Sequence, residues 1–230
     1  MTACTRSSAL LVTISLALVA FAVQVQGSVI QFGTPSGATA GGSAVDATAT
    51  LTTSAGQITV VLQNLQANPN TVAQDISDFS FELESGSGGT LSSSTGLERT
   101  VSGDGSYADG SAVSTGWALT ASGSEFTLDV LGTGVGPAHT IIGPPDGSNV
   151  YSAAGGSIAG NGPHNPFLAG DVTFTISAPG VTASTGVEEV VFSFGTTEGK
   201  DVDGVPTPEP ATLGLLGAGL IGLLLRRRRS

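Results

Sequence analysis

Short runs in which apolar and polar residues alternate recur along this chain between glycine-rich breaks. From Asp78 to Glu84, Phe79, Phe81 and Leu83 fall on one side and Asp78, Ser80, Glu82 and Glu84 on the other, the period of two that marks a half-buried strand. Glu125 to Val130 and Asp171 to Ile176 repeat the pattern, and Val190 to Phe194 is similar. Further strands are predicted at Ser28 to Phe32, Ala44 to Thr52, Gln57 to Leu65, Trp117 to Ala121 and His139 to Ile142. No stretch of the body shows a helical period. Short strands divided by turn residues predict an all-β domain over residues 28–194, an antiparallel β-sandwich of immunoglobulin-like or jelly-roll type. Glu84 to Thr95 and Gly143 to Phe167 read as long Gly/Ser/Pro/Asn loops, and residues 195–207 as a polar exit linker. A fixed repeat, which would argue a solenoid, is absent.

Two continuous apolar segments flank this body. Ala9 to Val23 carries no charge and follows the single Arg6, the layout of a signal peptide that engages the Sec translocon. Small residues at Val25-x-Gly27 place signal-peptidase cleavage before Ser28, with Ala20-x-Ala22 as the competing site. The single cysteine, Cys4, precedes the apolar run, so lipidation at a cysteine after it is excluded. The mature body then has no cysteine, and its stability must come from burial or bound ions. At the other end, the fifteen residues Ala211 to Leu225 would form a helix of roughly 22 Å, a thin single span against a hydrocarbon core of ~30 Å. Arg226, Arg227, Arg228 and Arg229 follow it and orient the tail toward the cytoplasm, which leaves the body outside the inner membrane.

Four glycines among those fifteen positions weaken the helix and suit a segment held briefly and then removed. Pro208-Glu209-Pro210, the short Gly/Leu/Ala segment and the terminal arginine run, in that order, resemble the PEP-CTERM sorting signal of exported Gram-negative bacterial proteins. The resemblance covers residues 208–230. It implies processing at or near Pro208-Glu209-Pro210 by a membrane exosortase, and association with the cell envelope or an exopolysaccharide matrix. Many members read Val-Pro-Glu-Pro directly, whereas Val205-Pro206-Thr207 stands ahead of the motif here. A plain tail anchor would explain the apolar segment and Pro210 as a helix-start residue, but not a glutamate between two prolines.

Charge then narrows the function of the body. Residues 28–207 hold 17 acidic side chains and two basic ones, Arg99 and Lys200, a formal charge of −15. Such a field repels phosphates and argues against nucleic-acid binding. Zinc chemistry lacks ligands, since His139 and His164 are the two histidines and no His-Glu-x-x-His occurs. Gly155-Gly156-Ser157-Ile158-Ala159 approaches a nucleophile elbow but lacks its last glycine and its helix. The chain is therefore expected to be non-catalytic and to need no cofactor. Calcium is the one ion the Asp-Gly turns could hold, through Asp104 and Asp109 or Asp201 and Asp203, although turn chemistry alone explains such pairs. The expected role is an envelope or matrix protein. The alternative is a carbohydrate-binding module acting on exopolysaccharide, with Trp117, Tyr107 and Tyr151 stacking on sugar and His164, in the Pro-rich segment Asn161 to Phe167, touching the ligand.

Overall fold

The alternation in the sequence becomes burial in the structure. In a computed structural model of the chain, residues 28–207 are described apart from 87, 134–137, 161 and 198–199. The expected signal segment, Pro208-Glu209-Pro210, the apolar span and the arginine cluster lie outside the described residues. In chain order the strands are β1 (Ser28–Gly33), β2 (Thr39–Ala40), β3 (Ser43–Ala44), β4 (Ala47–Ser54), β5 (Gln57–Asn64), β6 (Ile76–Leu83), β7 (Thr90–Val101) and β8 (Tyr107–Val113). They continue with β9 (Ala118–Ser122), β10 (Glu125–Asp129), β11 (Ile141–Ile142), β12 (Phe167–Ser177), β13 (Val187–Phe194), β14 (Asp201–Asp203) and β15 (Val205–Pro206). Among the described residues the helical elements are two 3-10 turns, Val72–Gln74 and Leu131–Thr133, and no helix there is long and apolar enough to cross a membrane.

The protein is mostly β, built on one large mixed sheet of thirteen strands, with β2 and β3 pairing separately. Its main path runs β14-β13-β6-β11-β12-β5-β4-β1-β15. A branch of β10 and β9 leaves β6, and a branch of β7 and β8 leaves β12. The sheet thus has two wings joined through β11, which pairs antiparallel with β6 at Ile76 and parallel with β12 at Leu168 and Ala169. The parallel pair departs from the purely antiparallel expectation. It arises because the chain passes from β11 to β12 through the long connection that begins at Gly143 rather than through a hairpin. Tight turns serve the hairpins β4/β5 and β9/β10, where Gly56 and Gly123 take φ values of 72° and 64° that favour glycine.

Inward positions of both wings feed one core. Ala47, Ala49 and Leu51 of β4 and Ile58, Val60 and Leu62 of β5 alternate with solvent-facing threonines and glutamines. From the other wing, Phe81 stacks on Phe126 at 5.1 Å and Phe79 meets Phe192 at 5.3 Å. The wings touch where Trp117, just ahead of β9, packs 5.2 Å from Phe174 of β12. At Gly89 an added Cβ would collide with Phe126 of one wing and press on Ile176 of the other.

Three strands occupy segments that read as loop or linker. β7 begins at Thr90, inside the expected loop Glu84 to Thr95, and its Ser/Thr-rich first half is largely exposed, so it lacks the hydrophobic alternation that marks a strand. Its order comes from an eight-rung pairing with β12. β14 and β15 fall within the expected linker 195–207 and pair with β13 and β1. Gly143 to Phe167 does lack strands up to Phe167, but it folds over a second small core of Val101, Ile142, Tyr151, Ile158, Phe167 and Ala169.

Asn64 locks the junction of the wings. Its amide nitrogen donates to the carbonyls of Gln74 and Ile141, both at 2.8 Å, and its oxygen accepts from the backbone of Gln66. Gln74 in turn donates to the Ala44 carbonyl and accepts from the Asn70 amide. Asn64→Ala leaves two buried carbonyls unpaired, and urea unfolding should show a loss of about 3 kcal/mol with an unchanged strand signal in circular dichroism.

Candidate functional site

The polar chemistry of the second core gathers around Arg99. β7 carries Arg99 at the rim of the sheet, where its Nε and Nη2 donate to Asp109 of β8 at 2.6 and 2.9 Å. Its Nη1 donates to the Tyr151 hydroxyl at 3.1 Å, and its guanidinium lies 4.2 Å from the centre of the Tyr107 ring. Tyr107 donates to Asn149 Oδ1 at 2.7 Å and meets Tyr151 edge-on. Burial raises the Tyr151 phenol above its ordinary range, against the opposing effect of Arg99. Arg99, Tyr107 and Asn149 border a cleft of about 340 Å³ that Pro144 and Pro145 also line. Its floor is closely packed, because a Cβ on Gly143 would run into the Gln66 carbonyl.

The structure brings together Tyr107, Tyr151 and Asp109 but not as a stacking platform. Tyr151 is 1% exposed and Trp117 4%, so neither offers a ring face to a sugar. The Trp117 indole nitrogen donates to the His139 carbonyl at 2.9 Å, which fixes it as a core residue. Tyr107 is half-buried and borders the cleft. His164 sits in the turn before β12, with Nδ1 buried and lacking a hydrogen-bond partner, on a segment that Asn165 clamps to the backbone of Val101. Sequence reasoning passed over Arg99, Asn149 and the two prolines as a group. Their proximity depends on the folding of the 143–167 connection against β7.

The aspartates considered for calcium have other partners. Asp104 accepts from the amide and hydroxyl of Ser106, which lower its pKa, as an Asx turn does. Both Asp109 oxygens accept from Arg99. Asp201 accepts from Ser193 at 2.6 Å, while Asp203 lies exposed in register with Val191. Among the described residues no group of three His, Cys, Asp or Glu is placed to hold a metal ion.

Asp201 also belongs to an acidic outer face that the strand register assembles. One rung runs Asp129, Asp78, Ser193, Asp201 across β10, β6, β13 and β14, and another joins Glu125, Glu82 and Glu189. A groove of about 690 Å³ follows the first rung. Partial burial, then the charges of Asp129 and Asp201, push the Asp78 carboxyl up to about 7, against a hydrogen bond from Ser193.

Beyond β14 the chain turns at Gly204, pairs as β15 with β1, and reaches Thr207, whose amide donates to the Gln31 carbonyl at 2.8 Å. From there the residues match a family described as the PEP-CTERM protein-sorting motif, over 206–229. Residues 206–229 are a PEP-CTERM sorting motif. The motif implies an exported protein, sorted to the cell surface and processed by an exosortase. No curated protein and no solved structure matches the chain. The PEP-CTERM match begins two residues ahead of Pro208-Glu209-Pro210, so Pro206 belongs both to the motif and to β15, and Thr207 to the motif while its amide bonds to β1.

The acidic face sets a pH dependence of opposite sign to that of an ordinary paired carboxylate. Asp78 binds its proton more tightly folded than unfolded, so its effect on stability worsens as pH rises from about 4 to about 7 and is constant above that. In thermal melts across this range Asp78→Asn should flatten the decline and leave the variant more stable than the parent at neutral pH. A second prediction concerns the clamp: Arg99→Met strands Asp109 and Tyr151 and should lower stability by about 2 kcal/mol in urea.

Proposed function

We propose that this chain is a non-catalytic protein of the cell envelope or extracellular matrix, exported by the Sec translocon and sorted by its C-terminal signal. Signal peptidase cuts before Ser28, the short apolar segment Ala211 to Leu225 holds the chain in the inner membrane, and Arg226 to Arg229 keep the tail cytoplasmic. An exosortase-type protease then processes the chain at Pro208-Glu209-Pro210. The observation that carries this reading is the sorting motif matched over 206–229.

Two features of the body support a structural role. The polar side chains beside its cleft hold the fold, with Arg99 fixed between Asp109, Tyr107 and Tyr151. Its two wings share a single core, and in this reading they are the two layers of a sandwich of immunoglobulin-like or jelly-roll type. The cleft beside Tyr107 favours a second reading, a module that binds exopolysaccharide. There the half-buried Tyr107 and the Asn149 amide are the sugar contacts, and the buried Tyr151 supports the Tyr107 ring edge-on.

Intact-mass measurement of the protein from its native host, with and without the sorting protease, tests the main reading. The expected result is loss of Leu213 to Ser230 only when the protease is present; retention of that segment in both strains would mean a permanent tail anchor. For the second reading, titration of the body with the host's purified exopolysaccharide should give heat that Tyr107→Ala removes.

A further inference from the structure

The last seven described residues act as a clasp. β14 and β15 are the two ends of the main sheet path, yet only Gly204 separates them in the chain. Residues 201–207 therefore run from the free edge of one wing, at β13, to the free edge of the other, at β1. The β11 junction joins the wings on one side and this strap joins them on the other.

The strap's two halves are unequally held. β14 makes three rungs with β13, and Gly204 donates to the Val190 carbonyl at 2.7 Å. An added Cβ at Gly204 would press on Val190 and Phe192, so the corner sits tight against the body. β15 has two residues and forms two rungs. Pro206 brings no amide hydrogen, a residue tolerated there because β15 is an edge strand. Val205 is 43% exposed, and the Thr207 hydroxyl is buried without a partner. Such a segment opens locally at far lower free energy than the whole domain.

We propose that β15 gates the processing of the sorting signal: while it is paired with β1 the Pro208-Glu209-Pro210 segment is closed to the protease, and cutting proceeds from the state in which β15 has detached. This rests on the sorting function proposed above. Its physical basis is reach. Between Thr207, bonded to Gln31, and Ala211, where the apolar segment starts, lie only residues 208–210, which extend at most about 10 Å. A body clasped at Thr207 is therefore drawn up to the headgroup layer, and a membrane protease has no free extended chain on the N-terminal side of the motif. Detaching β15 frees residues 205–207 and roughly doubles that length, while β14 keeps its place on β13. Cutting at or beyond Pro208 also leaves the clasp intact in the released body.

The absence of cysteine after Cys4 makes a clean test available. Gly33 and Val205 are register partners, and a Cβ at Gly33 meets only ordinary contacts, so the pair Gly33→Cys and Val205→Cys can be joined by a disulfide across β1 and β15. In the native host with the protease present, the full-length disulfide-locked chain should be cut at least about tenfold more slowly than the parent, with each single cysteine variant cut normally. Inserting eight Gly/Ser residues between Thr207 and Pro208, about 26 Å when extended, should restore cutting of the locked chain. Val205→Gly, which weakens β15 outside the matched motif, should speed it. A locked chain cut at the parent rate, an insertion that fails to restore cutting, or a Val205→Gly chain cut no faster would each overturn the gate while leaving the sorting reading intact. A parent chain that keeps Leu213 to Ser230 in the presence of the protease would overturn both.

Discussion

Two residues, Ile141 and Ile142, hold the halves of this sheet in one hydrogen-bonded unit. β11 is short, fully buried and paired on both sides, so its backbone groups must find their partners inside the protein, on β6, on β12 or on a neighbouring side chain. That requirement brings the phenylalanines of β6, β10 and β13 within reach of the aliphatic rows of β5 and β12. Asn64 fastens the same point from β5 by donating to the Ile141 carbonyl. Without cysteine in the body, this shared burial is the main source of stability, and the polar side chains at the junction specify how the wings meet. Asp75 lies beside it, fully buried, with one oxygen accepting from Thr140 and its pKa raised well above the usual carboxylate value by desolvation.

The charges of the body are distributed by the same geometry. Inward positions hold the core, so nearly all carboxylates are driven to the outer faces, and strand register then sets them next to one another. Asp129, Asp78 and Asp201 stand along one rung, which raises the proton affinity of Asp78 and makes this face strongly negative. Such a surface stays soluble and repels anionic polymers at low ionic strength. Arg99 departs from the pattern because Asp109, Tyr107 and Tyr151 surround it beside the second core.

At the C-terminal end, folding and sorting meet in the same residues. A flexible linker would separate a cargo from its signal, but here the motif begins on a strand of the cargo. The strap from Asp201 to Thr207 links the edges of both wings, and the matched motif starts on its last two residues.

The sequence by itself determined the β class, the two inner-face rows and the sorting signal. Each depends on local order: a period of two decides which side chains are buried, and Pro-Glu-Pro, apolar segment and arginines are contiguous. All nine strands read from the pattern have counterparts, from β1 at Ser28 to β13 at Phe194. β7, β8, β14 and β15 were not legible because their side chains are mostly exposed or small, and what orders them is backbone pairing, with the distant β12 and β1 for β7 and β15 and with the preceding strand for β8 and β14. The cleft was hidden as well: β7 and β8 set Arg99 beside Tyr107, but Asn149 and the two prolines join them only when the 143–167 connection folds over the second core. Tertiary structure alone decided that Tyr151 faces inward, that the acidic residues share rungs, and that residues 201–207 strap the two sheet edges together, since pairings between separate segments of the chain leave no periodic mark on it.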